Sequence, residues 1–233
     1  MVKDKILKEL KGKQNSALAK HLSGFFKTDK GEYGEGDLFW GLTVPMQRII
    51  AKKYSAEAVL SDISALLKNK VHEVRLTALL ILVDKYSKAD TIAKEKIAKF
   101  YFANTKYINN WDLVDLTAPS IAGDFWFNNS KKFMLDFAKS GELWKERISV
   151  VATYYFIKRG EFTEILKLAK HFLTHKHDLM HKAAGWMLRE VGKKDLFVLR
   201  DFLDKYHKIM PRTMLRYSIE KMSDAERKKY MKK

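Results

Sequence analysis

Cysteine is absent from this chain of 233 residues, and proline and glycine are scarce, with 3 and 11 copies. A chain without cysteine has no disulfides and no thiolate metal ligands, which is typical of cytoplasmic proteins, so we predict a cytoplasmic location. The scarcity of proline and glycine argues against long disordered linkers. No apolar run reaches the length of about 18 residues that a membrane span needs. The first residues, MVKDKILKELKGKQ, predict a charged helix and not a signal peptide.

Acidic residues are also in short supply, because 28 Asp and Glu face 45 Lys and Arg and leave a net charge of +17. Counterion release gives such a chain affinity for a polyanion, so nucleic acid is the favoured partner. An acidic membrane surface is the rival partner. A surface that is simply rich in lysine, without a specific partner, is the third interpretation, since net charge speaks to association and not to fold.

Signatures of metal and cofactor binding are missing as well. The 7 histidines are scattered, and HKHD at 175–178 falls in a predicted turn without a cluster of carboxylates. The glycines of YGEGD at 33–37 are not followed by the Lys-Ser/Thr of a phosphate-binding loop. We therefore expect neither a metal nor a cofactor.

Strand-like alternation is nearly absent, whereas apolar residues recur at helical steps through most of the chain. The breaks between these segments are short and carry glycine, serine or aspartate, where helices end or are capped. The predicted helices occupy residues 58–70, 73–86, 91–105, 130–140, 143–160, 161–176, 179–192, 195–209 and 211–222. The sequence thus predicts an all-α protein.

A repeat runs through these helices. Arg75, Trp111, Arg147, Lys182 and Arg216 follow one another at steps of 34 to 36 residues, each near the start of a predicted helix. A repeat of that length holds two helices and a turn, and such units stack into an α-solenoid of HEAT-like repeats. We expect like positions of the repeats to line one concave face.

The repeat leads to an expectation for the whole chain. Residues 1–233 are predicted to form a single domain, a curved α-solenoid with a basic concave face, and the N-terminal helices within residues 1–30 are predicted to cap the stack. A groove on one chain needs no second copy, so a monomer is expected.

Four cations of the series point to a polyanion. Arg75, Arg147, Lys182 and Arg216 occur in register, as a row of phosphate contacts would require. The alternative is that each cation is solvated or paired with a nearby glutamate. A single arginine would favour that alternative, whereas the series favours a DNA-binding face.

Trp111 interrupts the series, and Asp115 follows it by four residues, which places both side chains on one helix face. Trp186 likewise follows Lys182 by four residues. A carboxylate beside indoles can stabilise a positive charge that develops during a reaction, such as the sugar cation that forms when a glycosidic bond breaks. The same carboxylate could also orient a water molecule for attack on the sugar. The competing interpretations are that the tryptophans belong to the core and that Asp112 caps the helix. Asp115 lies too far into the helix to cap it.

The chain resembles the HEAT-like-repeat DNA glycosylases of bacterial alkylation repair, the AlkD-like family, from about Gly31 to Lys221. The pairing of a WDxVD helix with a downstream GWxLRE helix is the most specific feature. The resemblance rests on four segments: YGEGDLFWGLTVPMQR (33–48), NNWDLVDLTAPSIAGDF (109–125), LWKERISVV (143–151) and KAAGWMLREVGKKD (182–195).

The resemblance implies excision of N3- and N7-alkylated purines from duplex DNA without base flipping, which leaves an abasic site. It implies that Asp115 is the catalytic aspartate, that Trp111 and Trp186 contact the sugar, and that Arg147 contacts a phosphate. Tyr33 corresponds, with a one-residue gap, to a tyrosine of the family's first repeat and would contact DNA.

Two further functions remain open at this point. A non-catalytic HEAT-repeat protein could bind damaged, bent or branched DNA, and a HEAT solenoid could also serve as a scaffold for other proteins. The presence of both tryptophans, of Asp115 and of Arg147 argues against the first. The net charge of +17 and the cations in register argue against the second.

Overall fold

The computed structural model describes residues 1–232, and these residues form helices and turns without a strand. An isolated bridge between Leu38 and Val71 is the sole β-type pairing within them. The predicted all-α class of helical repeats is therefore confirmed. The chain divides into two compact units, unit 1 at Met1–Ile121 and unit 2 from Ala122 onward.

The helices of unit 1 follow the predicted pattern closely from residue 58 onward. The structure has α1 Val2–Lys11, α2 Ser16–Phe25, α3 Val44–Tyr54, α4 Leu60–Leu67, α5 His72–Lys88, α6 Thr91–Ala103 and α7 Trp111–Asp115, with a 3-10 turn at Thr105–Tyr107. A π-helical turn follows at Pro119–Gly123.

The helices of unit 2 are α8 Asp124–Asn128, α9 Lys132–Ala138, α10 Leu143–Ala152, α11 Tyr154–Ile157, α12 Thr163–His171, α13 Asp178–Lys194, α14 Leu196–Tyr206, α15 Arg212–Ser218 and α16 Asp224–Met231, with a 3-10 turn at Phe172–Thr174. The single helix predicted at 143–160 is wrong, because it breaks into α10 and α11 at Thr153. The Thr153 hydroxyl donates to the carbonyl of Val150 at 2.6 Å, and such a bond to the preceding turn competes with regular helix geometry.

One long helix forms the centre of each unit. In unit 1, α5 is buried over residues 72–82 and packs against α3 and α4. In unit 2, α13 packs against α10, α14 and α15. A helix that is covered on several sides carries apolar residues around most of its circumference, as α5 does.

The five positions of the repeat lie near helix starts, as predicted. Arg75, Trp111, Arg147, Lys182 and Arg216 belong to the first two turns of α5, α7, α10, α13 and α15, in that order. The period in the sequence therefore marks similar positions in five helices of the structure.

Candidate functional site

The helix α7 carries the acid and the indole that the sequence singles out. It has 5 residues and begins at Trp111, whose backbone N–H donates to the Asn110 side chain at 2.8 Å. Trp111 and Asp115 are one turn apart on the same face, and both line a cavity of about 370 Å³ within unit 1. A helix of little more than one turn is unstable by itself, so its surroundings must hold it in place.

Aromatic rings surround Trp111 on the cavity side. Its indole stacks on Phe26 with ring centroids 5.1 Å apart and planes 17° apart, and it meets the edge of Phe25 at 5.8 Å. Trp111 is half-buried, so it is not a core tryptophan. Its ring is instead fixed as a wall of the cavity.

The two aspartates of α7 have different surroundings. Asp112 is buried, where its Oδ1 accepts from the N–H of Leu113 at 2.9 Å and its Oδ2 contacts Nε2 of His72 at 2.8 Å. Asp112 therefore lies in the first turn of α7, as predicted, and also forms a buried ion pair with His72. Asp115 is half-buried at the cavity. A partly solvated carboxylate among apolar walls is the group of the two that a substrate can reach.

Tyr101 of α6 supports the turn that follows α7. The Thr117 hydroxyl donates to the carbonyl of Leu113 at 2.5 Å, so Tyr101 Oη is the donor in its 3.0 Å bond to Thr117 Oγ1. Burial first, and the negative charge of Asp115 second, raise the pKa of Tyr101 well above its usual range. The phenol therefore stays protonated, and its proton remains committed to Thr117.

A buried chain of charges lies beneath α7. Arg75 Nη2 donates to both carboxylate oxygens of Asp37 at 2.7 and 2.8 Å, and Asp37 Oδ2 contacts His72 Nδ1 at 3.1 Å. His72 Nε2 then reaches Asp112, so that two cations alternate with two carboxylates. Burial opposes charge on Asp37, but the hydrogen bond from His72 and the charge of Arg75 hold the pKa of Asp37 below its usual value.

His72 is charged within this chain. Burial by itself would lower the pKa of His72, but the charge of Asp112 and the hydrogen bonds to Asp112 and Asp37 raise it to about 9. At neutral pH both ring nitrogens therefore carry protons and donate to the two carboxylates. The ring also stacks on Phe39 with centroids 4.8 Å apart, and it packs against Phe26 at 4.9 Å with the planes tilted by 35°.

Two of the predicted phosphate contacts are buried. Arg75 and Arg147 are each 4% exposed. Arg75 bonds to Asp37 and to the carbonyls of Asn69 and Lys70, and Arg147 Nη1 donates to the carbonyl of Leu179 at 2.5 Å. In this structure both guanidiniums therefore bond to carbonyl and carboxylate acceptors inside the protein, and their contact with phosphates stays a prediction.

The other predicted DNA contacts lie nearer the surface. Lys182 is half-buried and pairs with Asp178 one turn earlier at 2.8 Å, Arg216 is exposed on α15, and Tyr33 is half-buried in the segment that follows α2. Of the basic positions in the series, Lys182 and Arg216 are therefore the two that a polyanion can reach in this structure.

Trp186 occupies unit 2 on the central helix α13. It is half-buried, its indole Nε1 donates to Glu190 at 3.1 Å, and its ring lies 6.2 Å from that of Tyr154. Glu190 also accepts from Lys193 at 2.7 Å. The carboxylate one turn further along the helix thus fixes the orientation of the indole.

Gly185, next to Trp186, permits a close approach of α15 to α13. A Cβ atom at this position would lie 2.5 Å from the carbonyl oxygen of Met214 and 2.6 Å from the Cβ of Tyr217. No side chain fits there without a shift of the backbone. The glycine of the GWxLRE motif is therefore a packing residue that sets the distance between two helices.

The sequence patterns do not predict most of the partners that hold the two tryptophans and Asp112 in place. The contact of Trp186 with Glu190 is predictable, because residues spaced i,i+4 lie on one helix face. The contacts of Asp37, His72 and Phe26 are not predictable in this way, because they meet α7 across long separations in the chain.

Within residues 1–232, no group of three or more histidine, aspartate or glutamate side chains has a metal-binding arrangement. None of the helices in that range is long and apolar enough to cross a membrane.

Comparison with known proteins gives the family. A family model described as DNA alkylation repair enzyme matches residues 6–222, and the chain belongs to this family. A solved structure entitled "Predicted DNA alkylation repair enzyme from Enterococcus faecalis" is similar with a TM-score of 0.71 at 15% identity, over 91% of this chain and 97% of that one. At this identity the likeness shows the fold alone. No curated protein matched the chain.

Membership of this family supports a role in DNA repair, and the family's description is that of an enzyme. It also agrees with an interaction with DNA, which the net charge of +17 favours independently. The resemblance inferred from the WDxVD and GWxLRE helices is thereby confirmed at the level of the family.

Proposed function

We propose that the protein is a DNA glycosylase that excises N3- and N7-alkylated purines from duplex DNA and leaves an abasic site. The observation that carries the proposal is the arrangement on α7, where Asp115 and Trp111 line one cavity while the neighbouring Asp112 is buried in an ion pair. A single reachable carboxylate against an indole wall matches the demands of this reaction.

The reaction needs little from the protein beyond electrostatics. Alkylation at N3 or N7 makes the purine cationic, so when the bond from C1′ to the purine nitrogen breaks, both electrons go to the base and it leaves as a neutral molecule. The sugar becomes an oxocarbenium-like cation, which the carboxylate of Asp115 stabilises. A water oriented by Asp115 then attacks C1′ and gives up a proton to that carboxylate.

No general acid is required to expel a cationic base. The one protonated histidine that lines the cavity, His72, has both N–H groups committed to Asp37 and Asp112. This arrangement supports a substrate range restricted to bases that already carry a positive charge, and it is compatible with cleavage without base flipping.

For unit 2 we propose that Trp186 contacts the sugar of the damaged nucleotide and that Lys182 and Arg216 contact phosphates. The support is that Trp186 is half-buried with a fixed indole, and that both cations lie at or near the surface. The burial of Arg75 and Arg147 favours a structural role for these two arginines over a contact with DNA.

The test measures the release of 7-methylguanine and 3-methyladenine from methylated duplex DNA by the wild type and by Asp115→Asn. We expect release by the wild type and a loss of about 100-fold or more in the variant, because the carboxylate acts in the transition state, with DNA binding retained. Asp136→Asn, at an exposed aspartate of α9, is the matched control and should keep full activity.

The alternative function, non-catalytic binding of damaged, bent or branched DNA, predicts a different outcome. In that case the wild type binds such DNA and releases no base. Equal release by wild type and Asp115→Asn would retain the enzyme but remove the role of Asp115.

A further inference from the structure

Several elements touch α7, and His72 is the residue where their contacts converge. We infer that His72 is a positioning residue for the site on α7, which it holds from beneath through Asp112 and through Phe26. The part of the inference that concerns catalysis rests on the proposed function. The structural part, that the position of α7 depends on His72, does not require the proposed function.

The first link runs through a hydrogen bond. His72 Nε2 donates to Asp112 Oδ2 at 2.8 Å, and Asp112 lies between Trp111 and the rest of α7. Because α7 has 5 residues, anchoring its second residue restrains the whole helix, including Asp115 at its end. A helix this short has too few internal hydrogen bonds to restrain itself.

The second link runs through stacked rings. The rings of His72, Phe39 and Phe26 pack on one another with centroids 4.8 to 5.2 Å apart, and Trp111 stacks on Phe26 at 5.1 Å. His72 and Phe39 together support Phe26, which is the ring against which Trp111 packs. The orientation of the indole therefore depends in part on His72, independently of the hydrogen bond to Asp112.

The charges around His72 hold it in one orientation. The ionisable groups that face it or lie beside it come from α7, from the segment between α2 and α3, and from α5: Asp112, Asp115, Asp37, Arg75 and Glu73. Only the doubly protonated ring can donate to Asp37 and Asp112 together. Glu73 does not compete for these protons, because it accepts the backbone N–H groups of residues 40–42.

Substitution of His72 should therefore affect the chemical step more than the binding of DNA. We expect His72→Gln to lower the single-turnover rate of base release by about 10- to 100-fold, the cost of a slightly displaced reacting group, while affinity for duplex DNA is unchanged. His72→Phe keeps a ring against Phe26 but loses both hydrogen-bond donors, whereas His72→Gln loses the ring. Comparison of the two variants therefore separates the contribution of the ring contacts from that of the hydrogen bonds.

The control is His171→Gln in unit 2, where an exposed histidine contacts the carbonyl of Ala138 at 3.2 Å and the ring of Phe172. It removes an imidazole away from α7. A merely structural role for His72 predicts that His72→Gln loses stability and that neither variant changes the rate of the folded enzyme or its pH profile.

Two readouts distinguish positioning from simple stabilisation. The wild-type rate should fall as the pH rises through about 9, where His72 loses its second proton, and His72→Gln should lack this alkaline limb. Hydrogen exchange should show faster exchange of the amides of Trp111–Asp115 in His72→Gln and not in His171→Gln.

The exchange experiment also separates this inference from the proposed function. If the wild type releases no base, the glycosylase proposal fails, and exchange at α7 still decides whether His72 holds that helix. Unchanged exchange at α7 in His72→Gln, or an equal loss of rate in His171→Gln, would overturn the inference. Should His72→Gln not fold, Asp112→Asn removes the same ion pair, and the same change in exchange is expected.

Discussion

Trp111 of unit 1 and Trp186 of unit 2, the two tryptophans proposed to contact DNA, are held in different ways. Trp111 begins a helix of 5 residues that is fixed from outside by a buried chain of four charges and by stacked rings. Trp186 lies within a helix of 17 residues, and its indole is fixed by Glu190 of that same helix. A short helix depends on its neighbours for position, whereas a long helix supplies most of its own restraint.

The comparison predicts that changes near α7 will be costly and specific. Each partner of the buried charge chain depends on the next, so loss of one leaves another unpaired. Changes near Trp186 should have smaller effects, since the long helix that carries it packs against α10, α14 and α15.

The largest effect is expected for Asp37→Asn. It leaves the buried Arg75 without a carboxylate partner and the buried His72 with Asp112 alone, which costs about 3–5 kcal/mol of unfolding free energy. Urea unfolding measures the loss. Asp201→Asn is the control, because the solvent-exposed ion pair of Asp201 with Lys205 should contribute little to stability. Equal losses in both variants would contradict the special role of the buried chain.

A smaller loss is expected on raising the pH. The pKa of His72 is raised from 6.5 to about 9 in the folded protein. The stabilisation that protonated His72 gives to the folded state is therefore complete below pH 6.5 and declines until the pH passes about 9. The free energy of unfolding should fall by about 3 kcal/mol over this range. Urea unfolding over this range should show it in the wild type and not in His72→Gln. A wild-type curve as flat as that of the variant would mean that His72 is neutral in the folded protein.

Gly185→Ala tests the support of Trp186 in unit 2. The added Cβ would lie 2.5 Å from the carbonyl of Met214, so α15 must move, at a cost of about 1–3 kcal/mol. Gly24→Ala in α2 is the matched control, since nothing lies within 4 Å of a Cβ there, and alanine's better helix propensity should make that variant neutral or slightly more stable. Thermal unfolding of both variants gives the sign of each change.

Local patterns in the sequence predicted the all-α class, most helices after residue 58 and the register of the five repeat positions, because these depend on spacing within one helix or between successive repeats. They also placed Asp115 and Trp111 on one face. The charge chain could not be predicted in this way. Asp37 and Asp112 lie 35 and 40 residues from His72, and their meeting depends on how the segment between α2 and α3 folds.

The buried arginines show the same limit. Their spacing correctly indicated equivalent positions near helix starts, but spacing does not tell whether a cation faces water or an internal acceptor. In Arg75 and Arg147 the acceptors are a carboxylate and backbone carbonyls within the protein. A regular spacing of cations in a sequence therefore predicts a phosphate contact only where the side chain is also exposed, as that of Arg216 is.

The smallest effect on stability is expected for Arg216→Ala, and it sharpens the distinction between buried and exposed cations. Arg216 is exposed on α15, so its loss should leave the free energy of unfolding unchanged and should lower the slope of log affinity for duplex DNA against log salt by about 1.

Arg147→Ala should instead lower stability and leave the salt dependence of DNA binding unchanged. Its loss removes a buried charge-assisted hydrogen bond to the Leu179 carbonyl and should cost about 1–3 kcal/mol of stability, with an unchanged salt slope. A flattened salt slope with unchanged stability in Arg147→Ala would instead make Arg147 a phosphate contact, which would require its guanidinium to leave the Leu179 carbonyl when DNA binds.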